Sequence, residues 1–266
     1  MQVIPVLDLA GGCAVHAKGG HRAEYLAVDS ILAPGHPGDA RRLARAYGEV
    51  LRARACYVAD LDAIAGGSVQ KRGLGDLAFE LVAQRMEMLV DAGVREPAAA
   101  RAVLAAGATS VVVGLETLHS FGDLAAIVAD LGAARVVFSV DLREGDPTLR
   151  PELRRRHGDG VTAPVATQLA AAAGVTRMLV LDLARIGMGR GIDLSLLRSL
   201  RAMHPAAELL AGGGVGGADD LRKLAETGAD AVLIASALHD GRLTAEDLRE
   251  AERLGPAPSG HSRDSL

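Results

Sequence analysis

Two aspartates stand where an apolar run stops: "VIPVLD" ends at Asp8 and "RVVFSVD" ends at Asp141. An acid at the tip of a buried strand can face a cavity, partly removed from water, where its proton affinity is tuned for proton transfer. Asp60, Asp91, Glu116 and Asp182 sit at or beside the ends of similar runs. Such an acid also has a plainer use, capping the next helix or binding loop amides. Asp60 and Asp182, each followed by another apolar residue, divide evenly between the two uses. Asp8 and Asp141, backed by Gly-rich or polar loops, point to chemistry.

An anion has its own candidate site. "AGGGVGG" offers the bare amides of Gly212, Gly213 and Gly214 ahead of the helix-like "GADDLRKL", and "IASALHDG" sets Ala235 and Ser236 nearby. Glycine loops before a helix cradle phosphates this way, although a tight turn would also need glycine. The segment after Asp8, "AVHAKGGHRAEYLAVDS", carries His16, Lys18, His21, Arg22 and Tyr25 and is long enough to be a lid. Lys18 within reach of Asp8 could bind an anion or form an imine; its plainer use is as a surface lysine. Asp60, Asp91, Glu116 and Asp182 around one mouth could hold Mg²⁺ through oxygens, but no histidine joins them, and neither metal nor cofactor is expected.

The elements that would position these groups alternate along the chain. Strand-like runs fall at 3–8, 55–60, 88–91, 109–114, 135–141, 177–182, 207–213 and 230–236. Between them lie amphipathic segments such as "DARRLARAYGEVLRA", "PAAARAVLAAGA", "ADDLRKLAETGA" and "TAEDLREAERL". Eight strand–helix units in 266 residues fit an α/β fold, a (β/α)8 TIM barrel, whose active site lies at the C-terminal strand ends. A doubly wound sheet would carry G-x-G-x-x-G after its first strand, and none follows "VIPVLD". Residues 88–115 align without gaps to 209–236, sharing Leu89, Gly93, Val94, Arg101, Gly107, Ala108 and Val111 with their counterparts. "VADLDAI" (58–64) likewise meets "VLDLARI" (180–186). The economical reading is a single barrel over 1–254 made of two half-barrels, 1–131 and 132–254, with a disordered tail, 255–266. Asp8 and Asp141 then occupy equivalent places.

Bulk properties narrow the partners. A net charge of −4 carries no nucleic-acid footprint. No apolar run approaches the roughly 18 residues of a membrane span, and the start lacks a basic leader. Cys13 and Cys56 have no thiol or histidine at metal spacing, which fits a reduced, cytoplasmic setting. The expected state is a monomer or small homo-oligomer.

"IPVLDLAGG", "VADLDAI", "SVDL", "AGGGVGGADDL" and "AVLIASAL" resemble, in order over about 1–254, the aldose–ketose isomerase and cyclase barrels of histidine biosynthesis. That resemblance implies a duplicated half-barrel with catalytic aspartates on the first and fifth strands, matching Asp8 and Asp141. It also implies a general acid and a general base in an Amadori rearrangement of a phosphoribosylamine, without metal or nicotinamide. Family members hold two phosphates, one per half. The second-half pattern, Gly212, Gly213, Gly214, Ala235 and Ser236, is kept. In the first half Asp91 stands opposite Gly212, and Glu116 stands where the family has a small hydroxyl residue. A carboxylate about 4 Å from a phosphate charge costs on the order of 4 kcal/mol at an effective dielectric near 20. Arg95 offsets part of that, so one phosphate pocket is expected, with Lys18, Asp60, Asp91, Arg95, Glu116 and Asp182 meeting the rest of a mono-phosphorylated substrate.

Two further departures agree. Ile186, Gly187 and Met188 replace the family's acid and hydroxyl after strand six, and the fifth loop lacks the isomerases' Trp. That loop carries Arg154, Arg155, Arg156 and His157 instead, a solvated face or a substrate-closing arm. Related barrels found beside genes for one-carbon coenzymes imply a biosynthetic role of that kind as one reading. The histidine-pathway isomerase itself is the alternative, and a non-catalytic ligand-binding barrel a third.

Overall fold

Runs of Val, Leu, Ile and Ala long enough for one strand, but apolar on both faces, belong in a parallel sheet covered on both sides. The computed structural model, which describes residues 1–17, 25–182 and 193–254, builds such a sheet and closes it. Its barrel strands are β1 (Gln2–Ala10), β4 (Ala55–Asp60), β5 (Glu87–Asp91), β6 (Ser110–Gly114), β7 (Val136–Arg143), β9 (Arg177–Asp182), β10 (Glu208–Gly212) and β11 (Ala231–Ile234). Neighbours pair in parallel in that order, and β11 returns to β1 through Gln2↔Ala231 to Pro5↔Ile234. The expected (β/α)8 barrel is the observed one.

The helices are α1 (Ala40–Glu49), α2 (Leu61–Ile64), α3 (Lys71–Ala83), α4 (Pro97–Ala105), α5 (Phe121–Leu131) and α6 (Pro151–His157). After them come α7 (Ala163–Ala172), α8 (Leu194–Met203), α9 (Ala218–Ala225), α10 (Ser236–His239) and α11 (Ala245–Leu254). Several open on a side-chain cap: Asp39 accepts from Arg42 N–H, Ser120 from Asp123 N–H, Thr162 from Val165 N–H and Asp193 from Ser195 N–H. The repeat maps β5–α4–β6 onto β10–α9–β11, element for element.

Strand alternation splits the core in two. Ile4, Ala55, Tyr57, Ala59, Leu89, Val112, Val137, Leu179, Leu210, Ala231 and Leu233 form a small cluster of their own, the barrel interior. Opposite-parity residues such as Cys56, Val58, Met88, Val90, Met178 and Val180 join the larger cluster with the helices. Inward positions of a strand therefore end in the mouth, and outward ones end under a helix.

Both catalytic-candidate strands overrun the barrel. Beyond Asp8, β1 turns at Gly11 and Gly12 (φ +56° and +80°) into antiparallel β2 (Cys13–Ala17), which pairs with β3 (Tyr25–Ala27). Consecutive glycines at positive φ make the tight hairpin turn, so the described part of the expected lid is a β-ribbon carrying His16 and Tyr25. Beyond Asp141, β7 turns at Glu144 and Gly145 into β8 (Asp146–Pro147). Lys18, His21, Arg22, Ile186, Gly187, Met188 and the tail 255–266 lie outside the described residues.

Candidate functional site

Parity brings three acids together. Asp8 shares the inward face with Ile4, Asp91 with Leu89, and Asp141 with Val137, all at the C-terminal ends of their strands. Asp8 is half-buried, and its carboxyl is pushed up to about 7, first by burial and then by the charge of Asp91. Asp141 is 5% exposed and accepts a hydrogen bond from Ser139 Oγ at 2.6 Å, which orients it. Asp91 Oδ2 accepts from Tyr57 Oη at 3.3 Å, and its Oδ1 accepts from Gly93 N–H at 3.0 Å. The Tyr57 phenol is held well above its ordinary value by burial, then by the charges of Asp91, Asp141 and Asp8. One buried tyrosine thus binds Asp91 directly and feels the charges of Asp141 and Asp8.

Gly114, at the end of β6, leaves room in the same wall. A side chain there would meet Glu116 Cγ and Thr117 Oγ1 at 3.7 Å and Asp141 Oδ2 at 4.0 Å. Glu116 is therefore a half-buried neighbour of Asp141. By the spacing of the repeat, however, the residue opposite Ser236 is the wholly buried Leu115, not Glu116. Arg95 is half-buried, and its Nε is buried with no acceptor among the described residues.

Two expected substrate contacts are corrected. Asp60 has the outward parity of Val58, is fully buried, and accepts from Ala63 N–H (3.1 Å), Gln70 N–H (2.7 Å) and Gln70 Nε2 (2.9 Å). It caps α2 and ties down the loop before α3; it does not reach the mouth. Asp182, on the outward parity of β9 and 2% exposed, is its counterpart in the repeat. With these two turned away, the four-carboxylate Mg²⁺ arrangement does not form. Lys18 is among the residues not described. The Arg154–Arg156 run is exposed on α6, while His157 meets the edge of Phe121 at 5.8 Å, a packing contact.

The second-copy glycine loop requires its glycines. A Cβ on Gly212 would lie 2.7 Å from Leu181 Cδ1, and one on Gly213 would collide with the Asp182 carbonyl. Gly213 and Gly214 hold φ of +105° and +74°. Asp220, in the first turn of α9, takes the Gly216 N–H at 2.7 Å. The Gly213–Gly214 turn thus needs glycine for its backbone path. A separate cleft outside the mouth, between the Gly11–Gly12 turn and Gln70–Gly73, is lined by none of the three acids.

Comparison with known proteins decides the family. The family model described as "Histidine biosynthesis protein" matches residues 2–244. The chain belongs to that family. It is 31% identical, over 91% of its length and 95% of the relative's, to a Deinococcus radiodurans protein named 1-(5-phosphoribosyl)-5-((5-phosphoribosylamino)methylideneamino)imidazole-4-carboxamide isomerase. A Myxococcus xanthus protein of the same name is 34% identical over 92% of this chain and 96% of its own. An uncharacterized protein of Methanocaldococcus jannaschii is 28% identical over 93% and 97%. The family member described here is thus an isomerase-type barrel enzyme.

Tyr57, Ser139 and Gln70 were not singled out from sequence. Tyr57 and Ser139 had a signal: each is a hydroxyl residue inside an otherwise apolar strand, two positions from the next inward residue. Gln70 had none, because its partner Asp60 is ten residues away across a loop. No helix among the described residues is long and apolar enough to cross a membrane.

Proposed function

We propose that the chain catalyses an aldose–ketose isomerisation of a phosphorylated ribosylamine, with Asp8 and Asp141 moving the protons. The single observation that carries this reading is the pair of inward aspartates on the equivalent first and fifth barrel strands, one of them raised to about 7. Giving a proton to the ring oxygen opens the sugar to an iminium. Removing the C2 proton makes an enolamine, whose ketonisation moves the oxidation level from C1 to C2 inside one molecule. A carboxylate whose conjugate acid sits near 7 is a far stronger base than an ordinary one and is still partly deprotonated at neutral pH. That suits Asp8 to the C2 proton, leaving the ring oxygen to Asp141. Ser139 holds Asp141 in place, Tyr57 holds the neighbouring Asp91, and the Gly212–Gly214 loop with Ala235 and Ser236 holds a phosphate.

The test is steady-state turnover of Asp8→Asn and Asp141→Asn. Each should lose about 10³-fold or more in kcat with little change in KM, because proton transfer by a positioned group supplies 10²–10⁴-fold. Retained turnover in either variant removes that residue from the mechanism.

A second reading, that the substrate is the one in the relatives' names, is favoured by 31–34% identity over more than nine-tenths of the chain. Growth without histidine decides it. A strain lacking its own isomerase, supplied with this chain, grows under that reading and stays auxotrophic under a changed substrate.

A further inference from the structure

The two glycine loops of the repeat occupy equivalent places but are built differently. In the second copy a Cβ at position 212 would press on the tip of Leu181, and Gly213 and Gly214 both hold positive φ. In the first copy the equivalent residues are Asp91, Ala92 and Gly93. Ala92 is not among the non-glycine residues with positive φ, so this loop does not follow the path of its counterpart. Asp91 Oδ1 lies 3.0 Å from Gly93 N, the amide equivalent to that of Gly214. Its Oδ2 is held by the Tyr57 hydroxyl at 3.3 Å. Leu115, fully buried, takes the place of Ser236.

We propose that Asp91 is a specificity-determining residue: its carboxylate fills the anion position of the first loop, so the site takes a substrate with one phosphate, held by the second loop, and a neutral or cationic polar group at the Asp91 end. A phosphate dianion there would have to displace an internal carboxylate from an amide and a phenol while facing Asp8 and Asp141 as well. Arg95, half-buried after the same strand, keeps its Nε buried without an acceptor among the described residues. The inference rests on the isomerase reading, whose substrate end it specifies.

Inorganic phosphate titrated into the whole protein, followed by calorimetry and by soaked crystals, tests it. The wild type should bind one phosphate, at Gly213–Gly214. The double variant Asp91→Gly/Ala92→Gly, which copies the second loop, should bind two and should gain at least tenfold in kcat/KM for the bis-phosphorylated compound of the relatives' names. Two phosphates in the wild type, or none, overturns the proposal; so does a folded double variant that still binds one. Should the double variant fail to fold, Asp91→Asn serves. Removing that charge moves the acidic limb of activity to lower pH if Asp91 faces Asp8 in the working site, and an unmoved limb overturns the proposal. Binding counts do not depend on turnover. A correct count with no isomerisation of any ribosylamine would sink the isomerase reading alone, and a wrong count with full activity would sink only this one.

Discussion

Asp8 links chemistry to stability at a single residue. Burial and Asp91 raise its carboxyl from an ordinary 3.8 to about 7, so the folded chain prefers the protonated form. Between those values the native state binds more protons than the unfolded one, and stability from this group falls as pH rises from 4 to 7. A shift of that size corresponds to ~4 kcal/mol at most. Asp8→Asn carries no charge and escapes that loss. It should therefore melt above the wild type at pH 8 and approach it at pH 4, in thermal scans across that range. In activity the sign is opposite: as the proton acceptor, Asp8 works only when ionised, so kcat/KM should rise with pH through about 7. A limb that falls there instead would make Asp8 the proton donor. The sequence already marked Asp8 and Asp141, because each apolar run stops at an acid backed by a polar or glycine loop. It left Asp60 evenly divided between catalysis and capping. "ACYVAD" is apolar on both faces, so its alternation is silent about which residues point inward. Only the register, with Tyr57 and Ala59 inward, turns Asp60 towards the helices.

At the scale of elements, the eight barrel strands were legible to within about two residues, since each is a short β-rich run between turn signals. The extensions of β1 and β7 into hairpins were not. Their pairing depends on backbone turns at Gly11–Gly12 and Glu144–Gly145, and the residues that follow look like any polar loop. The glycine loop after β10 was legible, and the structure supplies its reason: Gly213 sits against the Asp182 carbonyl with φ +105°. Gly213→Ala should therefore strain the backbone and push β10 away from β9. The expected cost is about 2–4 kcal/mol in urea unfolding, together with at least tenfold weaker phosphate binding. The mirror change, Ala92→Gly alone, meets no such constraint and should cost under ~1 kcal/mol. Equal costs at the two sites would mean that the loops are alike after all.

Closure of the whole barrel depends on β1, which pairs with β11 on one side and β4 on the other while carrying Asp8. The last helix holds that strand in place. Leu248 and Ala251 of α11 are buried, the Met1 amino group donates to the Ala251 carbonyl at 3.1 Å, and Arg54 reaches Glu252 at 3.2 Å. Stopping the chain after Thr244 uncovers the side of β1 that Met1 and Val3 present to the helix layer. Burying a side chain such as Leu248 contributes roughly 2–3 kcal/mol, and the lost terminal bond adds about 1 kcal/mol more. That is a large share of the total stability of an ordinary domain. Because β1 is shared by both seams of the sheet, the loss should not stay local. The truncated chain should unfold in one transition at a much lower denaturant midpoint, and activity and far-UV signal should fall together. Two separated transitions, with one half-barrel persisting after activity is gone, would show that the halves hold on their own and that β1 closes the ring without governing it.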